Sequence, residues 1–407
     1  MKVLVLGGYG AQGSVICAEL VKHTKVSEVV CAGRRLEHAE AFKNKLKSDK
    51  ISTCQVDLDR VNEVREVAKN VDVVVNAASY IYDLRVMKEC AKHGASYQDL
   101  ALGPCMDAPN ASVDKVLKIK LGLDKKFKDA GKVALIATGM DPGITDIFAG
   151  YAADTLDHVY EIRMKDCGMT QSTVPVSTWA PNLLWYDMIQ EPYVYEGKKL
   201  KRVPPFSGEE TYEFPDPIGP QPCYHHFHEE PVIMAHFIKD VKYVEFKMCG
   251  PSMPFAKALY DYGLAKNKPV TVKGVKIAPL DVFLAVTPKP PTMEEVKKMI
   301  KEGTFTDEVA SLVVDIKGEK KGKEVSQTFY TMLTLKEANK RMPGATATSY
   351  FVGIGGEVFT ELLVEGKIRT KGVAPPEALT PREKVAVMQR LAEKGIRIYE
   401  VSKKPLP

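Results

Sequence analysis

Nowhere does this 407-residue chain string together the ~18 apolar side chains that a bilayer-crossing helix needs. Its opening also lacks a basic segment followed by a cleavable apolar core. It enters an apolar run at once, so a cytoplasmic protein with no membrane partner is expected. Eight cysteines (Cys17, Cys31, Cys54, Cys90, Cys105, Cys167, Cys223, Cys249) include no C-x-x-C pair. That absence argues against a zinc site and for reduced, buried thiols, so no metal is expected. A net charge of +5 is too small and too scattered to imply nucleic acid, and the basic cluster Lys317 to Lys323 reads as a solvated loop. With 45% hydrophobic and 27% charged residues, the chain reads as an ordinary globular protein long enough for two domains.

What the chain does have appears at its start. Lys2 to Leu6 form an apolar run of strand length, Ser14 to His23 carry helical periodicity, and between them lies Gly8-Tyr9-Gly10-Ala11-Gln12-Gly13. This is G-x-G-x-x-G between a strand and a helix. Gly8 permits the tight turn, Gly10 lets the backbone approach a pyrophosphate, and Gly13 lets helix and strand pack, so a dinucleotide is expected at the helix N-terminus. The second strand, "SEVVCAGRR", ends about 20 residues further on, where an Asp or Glu would accept the ribose 2′-hydroxyl of NAD. Gly33-Arg34-Arg35 stand there instead. Planar guanidiniums suit a 2′-phosphate, so NADP(H) is preferred over NAD(H). Asp57, Asn76-Ala77-Ala78 and Asp99 close the third, fourth and fifth strands and join the expected cofactor site; taken singly, each is equally a turn or cap residue.

Strand and helix patterns alternate as far as "KVALIATG", with helices over Leu36 to Leu46, near Val61 to Lys69, Leu84 to Lys92 and Ser112 to Lys128. This alternation predicts a Rossmann-type doubly wound parallel α/β sheet over residues 1–142. Asp141-Pro142-Gly143 then makes a turn into a helical pattern from Ile144 to Leu156. Beyond it, "HVYEIRMKDCG", "KYVEFKMCG" and the runs flanking Gly318 to Lys323 predict an inserted α+β domain, residues 143–345, with a largely antiparallel sheet. Residues 346–407 return to helices and a short strand, with Thr380 as N-cap and Gly395 as stop, and are expected to pack back on the Rossmann domain.

The motifs "VLGGYGAQGS", "VDVVVNAASYIYDLRVMKECAKHGASYQDLA", "GMDPGITD", "CYHHFHEEPV" and "KGVAPPEALTP" together resemble the saccharopine dehydrogenase family along nearly the whole chain. The resemblance implies hydride transfer at the C–N bond of an amino-acid-derived imine or secondary amine, saccharopine-like or carboxynorspermidine-like, by a homodimer. NAD-dependent lysine 6-dehydrogenation is the alternative within the family. A nucleotide-binding sensor that has lost chemistry is the alternative outside it. Ser79 and Tyr80 match substrate-contacting positions, with Tyr80 also a catalytic candidate. Asp141 would border substrate and nicotinamide, and "YHHFHEE" supplies Tyr224 for substrate and His228 and Glu229 for catalysis. Asn182 stands where fungal-type saccharopine reductases carry a carboxylate-binding arginine, and an amide cannot replace that bidentate contact. Arg163, Lys165 and Arg202 are the cations left to take its place.

Overall fold

In the computed structural model, which describes residues 1–403, seven parallel strands form the first sheet. They are β1 (Lys2–Leu6), β2 (Glu28–Gly33), β3 (Ile51–Gln55), β4 (Val73–Asn76), β5 (Ser96–Asp99), β6 (Val133–Leu135) and the late strand Gly372–Ala374. Their spatial order is Gly372–Ala374, β6, β5, β4, β1, β2, β3. Both faces are covered, and the period-two geometry of a strand decides where each side chain goes. Val3 and Val5 pack with Val15, Ile16, Ile354 and Val358 on one side. Leu4 and Leu6 pack with Leu84, Met87 and Leu117 on the other.

The helix Ala347–Glu365 lies against the helix Ala11–Leu20, and its "GIGG" run explains how it comes so close. A Cβ on Gly353 would sit 2.5 Å from the Val15 side chain, and one on Gly355 would sit 2.4 Å from the Gly139 oxygen. Residues 347–374 thus add a covering helix and an edge strand to the first sheet.

Under β4 and β5 lies a fully buried ion triad, in which the Lys120 ammonium is 2.7 Å from Asp83 and 2.7 Å from Asp99. Asp83 also accepts from Asn76 and from the Tyr97 hydroxyl, and Asp99 accepts from the Ala137 N–H. Lys120 rides on the helix Val113–Leu121, which stops at Gly122. A second helix, Asp124–Asp129, follows, so the single helix expected over Ser112 to Lys128 is broken.

The second sheet holds nine strands, built around the long pair Phe305–Lys320 and Lys323–Thr334, which turn at Lys321-Gly322 as the hairpin pattern predicts. Three features correct the sequence reading. Tyr243–Cys249 runs parallel, not antiparallel, to His158–Ser172, because the helix Glu230–Phe237 returns the chain to its starting side. The final strand Ile398–Lys403 joins this sheet instead of the nucleotide domain, and Tyr399 stacks 5.0 Å from its register partner Tyr330. Cys223 and Cys249 form a disulfide, since the register of Gly219–His225 against Tyr243–Cys249 sets them directly opposite each other. Spacing along the chain does not reveal such a cross-strand pair. The other six cysteines are free thiols, five of them buried. No helix among the described residues is long and apolar enough to cross a membrane.

Candidate active site

The glycine loop folds tightly on itself. A Cβ on Gly8 would lie 2.9 Å from the Val5 oxygen, and one on Gly13 would lie 2.2 Å from the Gly7 oxygen. The helix Ala11–Leu20 begins directly after Gly10, so the first-turn amides of Ala11, Gln12 and Gly13 have no acceptor within the helix. Close backbone approach and free amides fit a pyrophosphate. Beside the loop, the Tyr9 hydroxyl accepts from the Arg35 N–H at 3.0 Å, and its ring covers Gly33. Arg34 and Arg35 follow with exposed side chains.

The three strand-end polar residues play different parts. Asp57 organises its own turn by accepting from the Asp59 N–H, and it lies 3.8 Å from Arg60. Asn76 likewise orders its turn, donating from Nδ2 to the Ser79 carbonyl and accepting from the Ala78 N–H, and with Ala77 and Ala78 it lines the cleft. Asp99 is taken up by Lys120 and the Ala137 amide, which makes it a core residue and removes it from the cofactor contacts expected of it.

A cavity of about 200 Å³ opens where Gln12 meets the ends of β4 and β5, the Met140–Pro142 turn and the second domain. Ser79, Tyr80, Asp141, His228 and Glu229 all line it. Asn182 and Tyr224 do not. Asn182 is exposed on the helix Pro181–Ile189, whose opposite face turns Leu183 and Asp187 into the cavity. Tyr224 packs among Trp185, Phe206 and Met253, and its hydroxyl donates to Glu209. Arg163 and Lys165 are held by Glu245 and Asp315, and Arg202 lies over the Tyr193 and Phe227 rings.

Asp166 and Asp187 complete the cavity, and sequence reading missed both. For Asp187 the available signal was its i, i+4 spacing from Leu183. The ionisable side chains on the lining are Asp83, Asp141, Asp166, Asp187, Glu229, Tyr80 and His228, with no lysine or arginine among them. Asp83 is already matched by Lys120.

Burial dominates the titration of the rest. It raises Asp141 well above the usual carboxyl range, helped by the Asp166, Glu230 and Glu229 charges. Asp166 rises to about 6 by burial, against the pull of His228 and a hydrogen bond with Asp141. These two carboxyls therefore share a proton, Asp141 donating to Asp166. Burial pushes Glu229 up to about 8 and Asp187 well above its ordinary value. The Tyr80 hydroxyl is raised by burial and by Asp187, which keeps it a proton-bearing donor. His228 is lowered by burial; its ring stacks 4.0 Å from Phe246, and its Nδ1 lies 2.7 Å from Glu230 Oε2. That contact occupies Nδ1, and His228 also lines the cavity.

A nucleotide cradle and a carboxyl-lined cleft at the carboxyl ends of its strands define an NAD(P)-linked oxidoreductase. The family model for the saccharopine dehydrogenase NADP binding domain matches residues 3–135, and that for the saccharopine dehydrogenase C-terminal domain matches residues 139–396. The chain belongs to the saccharopine dehydrogenase family. Carboxyaminopropylagmatine dehydrogenase of Synechocystis is 26% identical over all of this chain and 99% of its own length. Carboxynorspermidine synthase of Vibrio alginolyticus is 26% identical over 94% of this chain and 93% of its own. The fold is shared with yeast saccharopine dehydrogenase (L-Glu forming), with a TM-score of 0.70 at 18% identity, covering 99% of each chain. It is also shared with homospermidine synthase from Legionella pneumophila, with a TM-score of 0.65 at 15% identity over 99% of this chain and 91% of that one.

Proposed function

We propose that the chain is an NADP(H)-dependent reductase that joins a cationic diamine or polyamine to a carboxyl-bearing aldehyde through an imine. The observation that carries this reading is the cavity lining, with Asp141, Asp166, Asp187 and Glu229 and no cationic side chain. A dicarboxylic amino acid such as saccharopine would meet uncompensated carboxyls there, whereas an ammonium or iminium finds partners. The relatives named for carboxyaminopropylagmatine and carboxynorspermidine support the same chemistry.

The reduced nicotinamide, when bound, supplies the hydride. Glu229 and Asp187 would hold the distal ammonium, and the carboxylate of the pair Asp141–Asp166 would stabilise the iminium charge. A neutral donor, the Ser79 hydroxyl, remains for the carboxylate of the aldehyde. Trp179, Leu183 and Phe227 wall the cavity with apolar surface, which excludes water and strengthens each of these contacts. NADP(H) in preference to NAD(H) rests on Arg34 and Arg35 and on the missing carboxylate at the end of β2. A homodimer acting in the cytoplasm belongs to the same reading, and light scattering tests its oligomeric part.

The purified chain is to be assayed for NADPH oxidation with short diamines or agmatine plus a carboxyl-bearing aldehyde, and with lysine plus 2-oxoglutarate. Consumption with the amine–aldehyde pairs alone supports the reading. Consumption only with lysine and the 2-oxo acid overturns it.

A further inference from the structure

Exposed apolar side chains gather on one excursion of the second domain, residues 253–286. Two helices, Met253–Asp261 and Pro279–Val286, flank a hairpin of Val270–Val272 and Val275–Ile277. Each helix turns one face inward, where Met253, Ala256, Leu280 and Phe283 pack with Trp185, Met188 and Tyr224 in a single cluster. The opposite faces are apolar as well. Phe255 and Tyr262 stand on and just beyond the first helix, Val282 and Val286 stand one turn apart on the second, and all four are at least half exposed, Tyr262 reaching 85%. A helix that is apolar all round is one that the native assembly buries.

The hairpin repeats the pattern. Its register pairs Val272 with Val275 and Val270 with Ile277, which sets these four on one face, while Thr271 and Lys276 pair on the other. Val270, Val272 and Val275 are about half exposed. Among the described residues the hairpin joins neither larger sheet, and two strands alone are marginal in water without a surface to rest on. With Leu264, the exposed side chains of the excursion present on the order of 800 Å² of surface. The largest apolar patch of an ordinary monomer covers about 300–600 Å², and one partner contributes about 800 Å² to a stable interface.

We propose that this excursion is the dimer interface, covered by the same excursion of a second copy across a two-fold axis. A two-fold sets a surface against itself, and an apolar face without charge is its own complement. Lys273 and Lys276 stand at the hairpin turn and on its back, which keeps like charges out of the contact. The proposal deepens the homodimer of the reading above and ties it to the cleft. The helix Pro181–Ile189 lies between the two: Trp185 meets the Phe283 ring edge-on at 4.8 Å, and the same helix turns Leu183 and Asp187 into the cavity. A partner held against Pro279–Val286 therefore braces the wall that carries Asp187, and Phe283 is a positioning residue for the amine subsite.

The test compares the wild type with Val272→Lys and Val286→Lys in the full chain, by light scattering over a dilution series. The wild type is expected at twice the chain mass, and each lysine should raise the dimer Kd by about 30-fold or more with circular dichroism retained. Monomeric variants should show KM for the amine raised about 10-fold and NADPH affinity within about twofold of wild type, the split expected when only the substrate wall loosens. Hydrogen exchange of the wild type reads the same surface without substitution, since covered amides of Val270–Ile277 should exchange at least about 100-fold more slowly than open chain. A monomeric wild type overturns this interface and the homodimer together. A dimer whose Kd neither lysine moves, hairpin amides that exchange as open chain, or a wild type that sediments with phosphatidylcholine–phosphatidylserine vesicles while the variants stay free each overturn the interface alone. An unchanged amine KM in a monomeric variant overturns the bracing of Asp187. A wild type inactive on every amine–aldehyde pair sinks the proposed reaction, while mass and exchange still decide the interface.

Discussion

If the cleft binds a cation, its affinity must depend on pH in a direction set by its carboxyls. Glu229 carries a pKa raised to about 8 by burial, Asp187 is raised well above its ordinary value, and Asp166 is near 6. The free cleft is thus largely protonated at neutral pH, whereas an ammonium pairs with the ionised form. Binding then expels a proton, and affinity rises with pH until the site is ionised. Ionising Glu229 at pH 6, two units below its pKa, costs about 2.7 kcal/mol at 1.36 kcal/mol per unit. Diamine affinity should therefore be about 100-fold weaker at pH 6 than on the plateau above pH 8, and fall again only near pH 10, where the amine loses its own charge. Calorimetric titration of the NADP-loaded protein, in two buffers of different ionisation heat, measures both the affinity and the released proton, about one per diamine. Affinity that stays flat or falls as pH rises would show that the cleft does not recognise a cation.

The same carboxyls act on stability with the opposite sign. The folded state binds more protons than the unfolded chain, so urea stability should fall as pH rises from about 4 toward about 8, and saturating diamine should flatten that fall. Lys120→Met leaves Asp83 and Asp99 buried without their cation and should cost about 3–5 kcal/mol in urea unfolding, partly regained at low pH; a loss under about 1 kcal/mol would contradict the triad. Replacing Arg34 and Arg35 with alanine should raise KM for NADPH by about 10- to 150-fold while NADH changes little, from the ~1.5–3 kcal/mol of a charge-assisted contact. Equal losses for the two nucleotides would show that the arginines do not read the phosphate. Gly13→Ala, whose Cβ would fall 2.2 Å from the Gly7 oxygen, should abolish the quenching of protein fluorescence by either nucleotide while the disulfide and fold persist.

The parallel sheet was legible because its signals are local. Apolar runs, the Gly8–Gly13 spacing and the alternation with helices each lie within a few residues of one another, and the burial of Val3 and Val5 against Leu4 and Leu6 follows from period two alone. What depends on register across distant segments was not legible. The Cys223–Cys249 bond, the parallel placement of Tyr243–Cys249 and the docking of Ile398–Lys403 on Lys323–Thr334 all arise from pairings that no window of sequence contains. Asp99 failed as a cofactor residue for a related reason. Position at a strand end was readable, but the neutralising lysine stands 21 residues later, on the helix Val113–Leu121.

The site shows how far chemistry depends on counting charges in three dimensions. Asp141, His228 and Glu229 were picked out from motifs, yet their meaning changes once Asp166 and Asp187 stand beside them and Arg163, Lys165 and Arg202 are found engaged elsewhere. A lone aspartate in a turn is an ordinary ionised group that solvent satisfies. Two buried carboxyls, Asp187 and Glu229, and two half-buried ones, Asp141 and Asp166, around about 200 Å³ with no cation resist ionising together, because each charge raises the cost of the next where water screens it poorly. The protein must then either hold protons or import positive charge. A cationic substrate does the second by displacing the first, so recognition and proton release become a single event.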